Sequence, residues 1–343
     1  MKMLKNRIFY MDFIRAVAMC MILIFHFLTE IELHQLLLNP DAFKIGGVSL
    51  LNLGGVNLTL GNYGVSLFFI ISGAGLMYAY RDKLSVKEFY KKRVLTIYPL
   101  YYITFIAASL TWLLAGYKLS QRAPLWTLLL TILGVDGWLS EVIPTYALVG
   151  DWFVGCIVCI YLLFPLLHKC MNRCPRITLG IYLLIFLFWE YVYPFGFSKR
   201  SSVVLRTFEV LLGMYFVKMN KKVSWKGALV SFLLFGIIFA VRIRVISLYI
   251  LVPIAGMSLF MILNYIAEKI DNLKIQKITI WLSYYSFPIF LIHHFLLNMI
   301  LGQLSQKSLG LGGALVLFVV YVIIVVGLGV AVKKIEKIIE RKR

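Results

Sequence analysis

From residue 8 almost to its end, the chain is built of apolar stretches long enough to cross a bilayer. They lie at about 8–28, 63–80, 94–116, 125–139, 150–168, 177–194, 203–217, 225–241, 246–267, 279–301 and 310–332. A crossing helix needs about 20 such residues. Hydrocarbon offers the backbone no hydrogen-bond partners, so each crossing segment must satisfy its own amides. Charged residues make up only 15% of the 343, too few to cover a soluble domain of this size. Residues 1–343 therefore read as a single integral membrane domain, an all-α polytopic bundle of transmembrane helices.

Loop charge sets the expected topology. If all eleven segments cross, the basic loop Lys169, Arg173, Arg176 falls outside, and the loop 140–149, which has no Lys or Arg, falls inside. Both placements oppose the positive-inside bias. The conflict disappears if 125–139, the shortest segment and one carrying Asp136, is re-entrant or interfacial. Ten spans then remain, with both termini cytoplasmic. Of the 35 Lys and Arg, 25 lie inside and six outside (Lys44, Lys118, Arg122, Lys199, Arg200, Lys307), while Arg15, Arg206, Arg242 and Arg244 sit in or at the ends of spans. The net charge of +20 is accordingly a membrane-orientation signal facing anionic lipid, and nucleic acid is excluded as a partner.

Basic residues between Lys2 and Arg7 followed by an apolar run resemble a signal peptide. Asp12 and Arg15 interrupt the run and no small-residue cleavage site follows, so a retained first span is expected. Cys156 and Cys159 have the spacing of zinc ligands but lie in an apolar run, where cysteine packs as a small hydrophobe; no metal site is expected. The outer loop 29–62, with its near-repeat Gly46-Gly-Val-Ser and Gly54-Gly-Val-Asn, reads equally as a folded cap over the bundle or a plain connection.

Ionisable groups inside spans are costly and mark function by default. The first span holds three. Arg15 and His26 are eleven residues apart, which puts them within about 20° around a helix and roughly 16 Å apart along it. Asp12 stands one turn below Arg15 on the same stripe. The structural alternative is an Asp12–Arg15 assembly pair and an interfacial histidine. Towards the outer side come Asp151, Trp152, Glu190, Arg206 with Glu209, and His293 with His294. Most aromatics there fit the interfacial belt, although aromatics with carboxylates and arginines also suit a sugar-binding cleft. Ser72-Gly73 reads as close helix packing, and Lys91, Lys92 and Arg93 as contacts for anionic lipid or a phosphorylated ligand.

Taken together, Tyr10-Met-Asp12-Phe-Ile-Arg15 running on to His26, Phe68-Phe-Ile-Ile-Ser-Gly73, the basic segment Arg93 to Pro99, Asp151-Trp152 leading to Tyr161 and Pro165, and Ser286 to His293 resemble acyltransferase family three. The resemblance spans most of the chain. It implies transfer of an acyl group, commonly acetyl, from cytosolic coenzyme A to an acceptor at the outer face, often a hydroxyl of a cell-surface polysaccharide or lipid-linked glycan. It implies acetyl-CoA (acyl-CoA) as co-substrate and no tightly bound cofactor. His26 would be the general base, with Arg15 and Asp12 also catalytic; Arg15, Lys92, Arg93 and Ser72 would bind coenzyme A, and Asp151, Trp152, Glu190, Arg206 and His293 the acceptor. One departure stands out: where the family carries a second Arg three residues after the first, this chain has Thr96. Direct transfer and a covalent acyl intermediate on Ser72 or His26 stay open, and the oxyanion donor is Ser72 or the outer cluster. A non-enzymatic exporter or assembly component for surface polysaccharide would use the same polar stripe as a pathway. An ion-coupled transporter predicts inverted repeats, which the sequence does not display.

Overall fold

A computed structural model describes residues 8–33, 44–45, 48–49, 54–116, 118, 123–193, 196, 198–220, 222–304 and 309–341. Ten long helices account for most of them: α1 (Phe9–Leu33), α2 (Leu60–Ala79), α3 (Val86–Leu114), α6 (Asp151–Arg173), α7 (Pro175–Tyr191), α8 (Val203–Met219), α9 (Trp225–Ala240), α10 (Leu248–Ala267), α11 (Leu273–Gly302) and α12 (Leu311–Arg341). Each coincides with one of the ten segments expected to span. Seven of them, all but α7, α8 and α9, are long and apolar enough to cross a membrane. The remaining three have 16 or 17 residues, at or just below the lower limit for crossing.

The segment 125–139 forms no long helix. It breaks into a 3-10 turn (Leu125–Thr127) and two short helices, α4 (Leu128–Ile132) and α5 (Asp136–Leu139), none of which reaches across a bilayer. Of the outer loop 29–62, residues 34–43, 46–47 and 50–53 lie outside the described residues, Gly46 and Gly47 of the near-repeat among them, as do the basic residues of 2–7, Arg122 and Lys307. Backbone at Lys44–Ile45 pairs antiparallel with Val48–Ser49. The described end of the loop is tied to α9. The Asn57 side chain donates to the carbonyls of Ile238 and Val241 and accepts from Ile243 N, so it satisfies groups that a helix end leaves unpaired.

Helix α2 lies at the centre, packed on α1, α8 and α10. Its contact with α8 is backbone on backbone. A Cβ at Gly73 would run into the Val210 carbonyl, and one at Gly213 into the Ile70 carbonyl. Two glycines, one per helix, let the axes approach this closely, as small residues do between membrane helices. The lateral faces of the bundle carry exposed leucines, isoleucines and valines, such as Val316, Val320 and Ile323 on α12, while polar groups turn inward.

Contacts also order the two ends of the bundle. Tyr10 packs edge-on against Phe216, Lys218 donates to Asn172, and His168 bonds the Tyr80 carbonyl. The basic stretches 81–93, 169–176 and 218–226 thus converge at the end where α1 begins.

Candidate active site

Helices α1 and α11 pack along one seam that carries two polar clusters. At the lower cluster, Ser283 Oγ donates to Asp12 Oδ1 at 2.6 Å, and Arg15 Nη1 donates to Ser283 Oγ at 3.1 Å. Arg15 and Asp12 also pair directly at 3.6 Å. Asp12 is buried and Arg15 is one-third exposed.

At the upper cluster three imidazoles meet. The His26 ring centroid lies 4.9 Å from that of His293 and 4.7 Å from that of His294. His293 is fully buried; its Nδ1 donates to the Phe290 carbonyl at 2.6 Å, and its Nε2 finds no partner among the described residues. His294 stands between two carboxylates, with Nδ1 2.8 Å from Asp151 Oδ1 and Nε2 3.0 Å from Glu30 Oε1. Carboxylate oxygens accept only, so both nitrogens of this ring donate.

The two clusters are related by spacing. Arg15 and His26 are eleven residues apart on α1, and Ser283 and His294 are eleven apart on α11. Because Arg15 meets Ser283 and His26 meets His294, the helices run in the same direction with matched faces. The clusters are therefore roughly 16 Å apart along the seam.

Asp151 reaches this seam through a tightly wound connection. Ala147, Gly150 and Asp151 have φ values of 37°, 79° and 44°. The left-handed region costs a residue with a Cβ about 1–2 kcal/mol, so surrounding bonds must hold the turn. Gly150 N donates to Leu291 O on α11 at 3.1 Å. Buried Asp136 accepts from Tyr101 at 2.7 Å, Thr131 at 3.0 Å and Ala147 N at 3.1 Å, while its own carbonyl accepts from Thr145. The short helix α5 thus ties the connection to α3 and sets where Asp151 begins α6. A cavity of about 400 Å³ opens beside it, lined by Trp112, Leu148, Asp151, His294, Asn298 and Gln303 among others.

The outer residues singled out from sequence do not form one cluster. Asp151 and His293 join His26. Trp152 lies with Phe69 against the Arg206 guanidinium, 5.4 and 5.7 Å from the ring centroids, and Arg206 pairs with Glu209 at 2.9 Å in the interior. Buried Glu190 takes Lys199 at 3.2 Å and the Ser247 hydroxyl at 2.5 Å.

At the other end, Lys92 sits 5.9 Å over the Tyr80 ring, and Arg93 lies over Phe89 (5.9 Å) and Tyr161 (5.8 Å). Thr96 donates its hydroxyl to the Lys92 carbonyl, and Ser72 donates its own to the Phe68 carbonyl one turn back. Two residues of the seam, Ser283 and Glu30, were not singled out in the sequence, and His294 was noted beside His293 without a role. The repeated eleven-residue interval, and Glu30 one turn above His26, were the signals that could have found them.

A family model described as an acyltransferase domain, that of acyltransferase family three, matches residues 8–333. A 121-residue stretch is 34% identical to the acyltransferase MdmB of Streptomyces mycarofaciens. That alignment covers 34% of this chain and 31% of the relative, so the chain spans about a third of the length of the curated protein it matches. No solved structure matches.

Proposed function

Since the chain belongs to acyltransferase family three, we propose that it is a membrane O-acyltransferase, and specifically an O-acetyltransferase. The acyl group passes from cytosolic acyl-CoA to a hydroxyl of a cell-surface, capsular or exopolysaccharide glycan at the outer face. The observation that carries this reading is the α1–α11 seam, with a half-buried cation near one end, His26 against His294 near the other, and a cavity that His294 and Asp151 line.

Arg15, set by Asp12 and Ser283, would bind the anionic part by charge-assisted hydrogen bonds, together with Lys92 and Arg93 at the same end of the bundle. His26 takes the proton of the acceptor hydroxyl as its oxygen attacks the thioester carbonyl. The tetrahedral intermediate then expels the coenzyme A thiolate, which recovers the proton from His26. Since Ser72 commits its hydroxyl hydrogen to Phe68, the oxyanion role passes in this reading to donors around His294. The cavity lining of Trp112, Asn298, Gln303 and Asp151 offers the aromatic face, amides and carboxylate that a sugar uses.

A plasma-membrane location with ten crossings and both termini cytoplasmic is part of the same proposal. Seven long helices separate α1 from α11. If each crosses once and 125–139 does not, α1 and α11 come out parallel, as the seam requires.

The test uses purified protein in nanodiscs with acetyl-CoA and an oligosaccharide acceptor, read by coenzyme A release and by acceptor mass. Transfer should fall by about 10²–10⁴ in His26→Ala while acetyl-CoA binding persists. A wild type that binds no acyl-CoA ends the enzyme reading. A fully active His26→Ala ends the general-base role. Comparing glycans from cells with and without the gene then identifies the acceptor through a mass difference of one acyl group per repeat.

A further inference from the structure

The upper cluster has a property that proton transfer alone does not require. One ligand-capable atom from each of His26, Asp151 and His293 lies within 4.8 Å of the others. His293 Nε2 is buried without a partner among the described residues, and Nδ1 of the same ring donates to a backbone carbonyl. That carbonyl bond holds the ring with its Nε2 lone pair available, the arrangement by which metal-binding histidines are oriented.

We propose that His26, His293 and Asp151 form a binding site for a divalent transition metal of the zinc class, and that the metal inhibits acyl transfer by occupying the lone pair His26 needs as a base. The inhibitory half rests on the general-base reading above; the binding half does not. Two imidazoles and one carboxylate are a borderline donor set, suited to Zn²⁺ and poorly suited to Mg²⁺ or Ca²⁺, which take oxygen. Tetrahedral Zn²⁺ at about 2.0–2.2 Å from each ligand asks for ligand atoms roughly 3.3 Å apart. Closing the site therefore takes side-chain rotation of an ångström or so. His294, held between Asp151 and Glu30, steadies the carboxylate from the other side. Three protein ligands leave one coordination position for water or an acceptor hydroxyl.

Binding is read first, without acyl-CoA, by titrating the full-length detergent-purified chain with Co²⁺ and recording visible d–d absorption, and by equilibrium dialysis against Zn²⁺ with elemental analysis. One metal per chain is expected. His293→Asn keeps an amide that can donate to the Phe290 carbonyl and removes Nε2; it should weaken binding by about a hundredfold or more. His26→Ala should do the same, and His168→Asn, at the opposite end of the bundle, should leave binding unchanged. A matched melting temperature shows that His293→Asn is folded. Absence of metal binding in the wild type, or binding indifferent to both His26→Ala and His293→Asn, overturns the site.

Inhibition is read separately, as loss of wild-type transfer on adding Zn²⁺ and recovery on adding chelator. Stimulation by Zn²⁺ overturns the inhibitory half. If His26→Ala is fully active yet loses metal, the general-base reading fails while the metal site stands.

Discussion

Ser283 on α11 donates to Asp12 on α1 at 2.6 Å, across 271 positions of sequence, and accepts from Arg15 with the same oxygen. One hydroxyl thereby converts an i,i+3 charge pair on a single helix into a link between the first and eleventh helices. A charge-assisted hydrogen bond of this kind contributes about 1.5–3 kcal/mol, and the same hydroxyl oxygen accepts from the guanidinium and so orients it.

Ser283→Ala should therefore act on the donor end of the reaction. The KM for acyl-CoA is expected to rise about tenfold, the equivalent of roughly 1.4 kcal/mol, with kcat changed less. Steady-state kinetics with varied acyl-CoA and saturating acceptor checks this. A fall in kcat with KM untouched would remove Ser283 and Arg15 from donor binding.

Asp151→Asn tests the acceptor end. Asparagine keeps an oxygen for His294 Nδ1 and tolerates the left-handed φ of 44°, so the fold should survive. The bond loses one of its two ionised partners and is weakened. Transfer efficiency should drop by about tenfold or more, with the melting temperature within a few degrees of wild type. Unchanged efficiency would make Asp151 a structural residue only.

The α2–α8 crossing should be the least tolerant contact in the fold. Gly73→Ala or Gly213→Ala sets a methyl against backbone that cannot rotate away, so a destabilisation of about 1–3 kcal/mol is expected for each. Gly75→Ala, on the same helix with open space at its Cβ, should stay within about 0.5 kcal/mol of wild type. Thermal unfolding in detergent distinguishes them, and equal behaviour of Gly73→Ala and Gly75→Ala would refute the close approach.

Arg206→Met strands Glu209 in the interior, where breaking a buried pair costs about 3–5 kcal/mol. Adding Glu209→Leu should restore most of the loss, because two apolar groups of similar size leave no uncompensated charge. The double-mutant cycle, read by melting temperature, tests whether the pair acts as a unit.

What was legible in the sequence follows from locality. Hydropathy over 20 residues marked all ten long helices, because a helix in lipid must satisfy its own backbone and cover it with apolar side chains. The broken character of 125–139 showed in its short length and in Asp136, whose carboxylate needs partners that only a folded connection provides. Helical geometry alone placed Arg15 and His26 on one face of α1. The outer polar residues were harder. Hydropathy assigned each to the same end of the expected bundle, so position along a segment could not separate the Trp152–Arg206 and Glu190–Lys199 groups from the one that joins His26.

By itself, then, the sequence determined where helices form and which of their faces are polar, since both depend on residues within a few turns of one another. Only the tertiary structure decided which faces meet. Ser283, His294 and Glu30 came to the seam because α1 and α11 pack parallel and in register. Asp151 came to it because a connection with three left-handed residues, held by Asp136 and Leu291, winds α6 onto the same spot. Apart from the local Asp136–Ala147 bond, these contacts join residues more than a hundred positions apart, where helical periodicity carries no information and packing alone selects the partner.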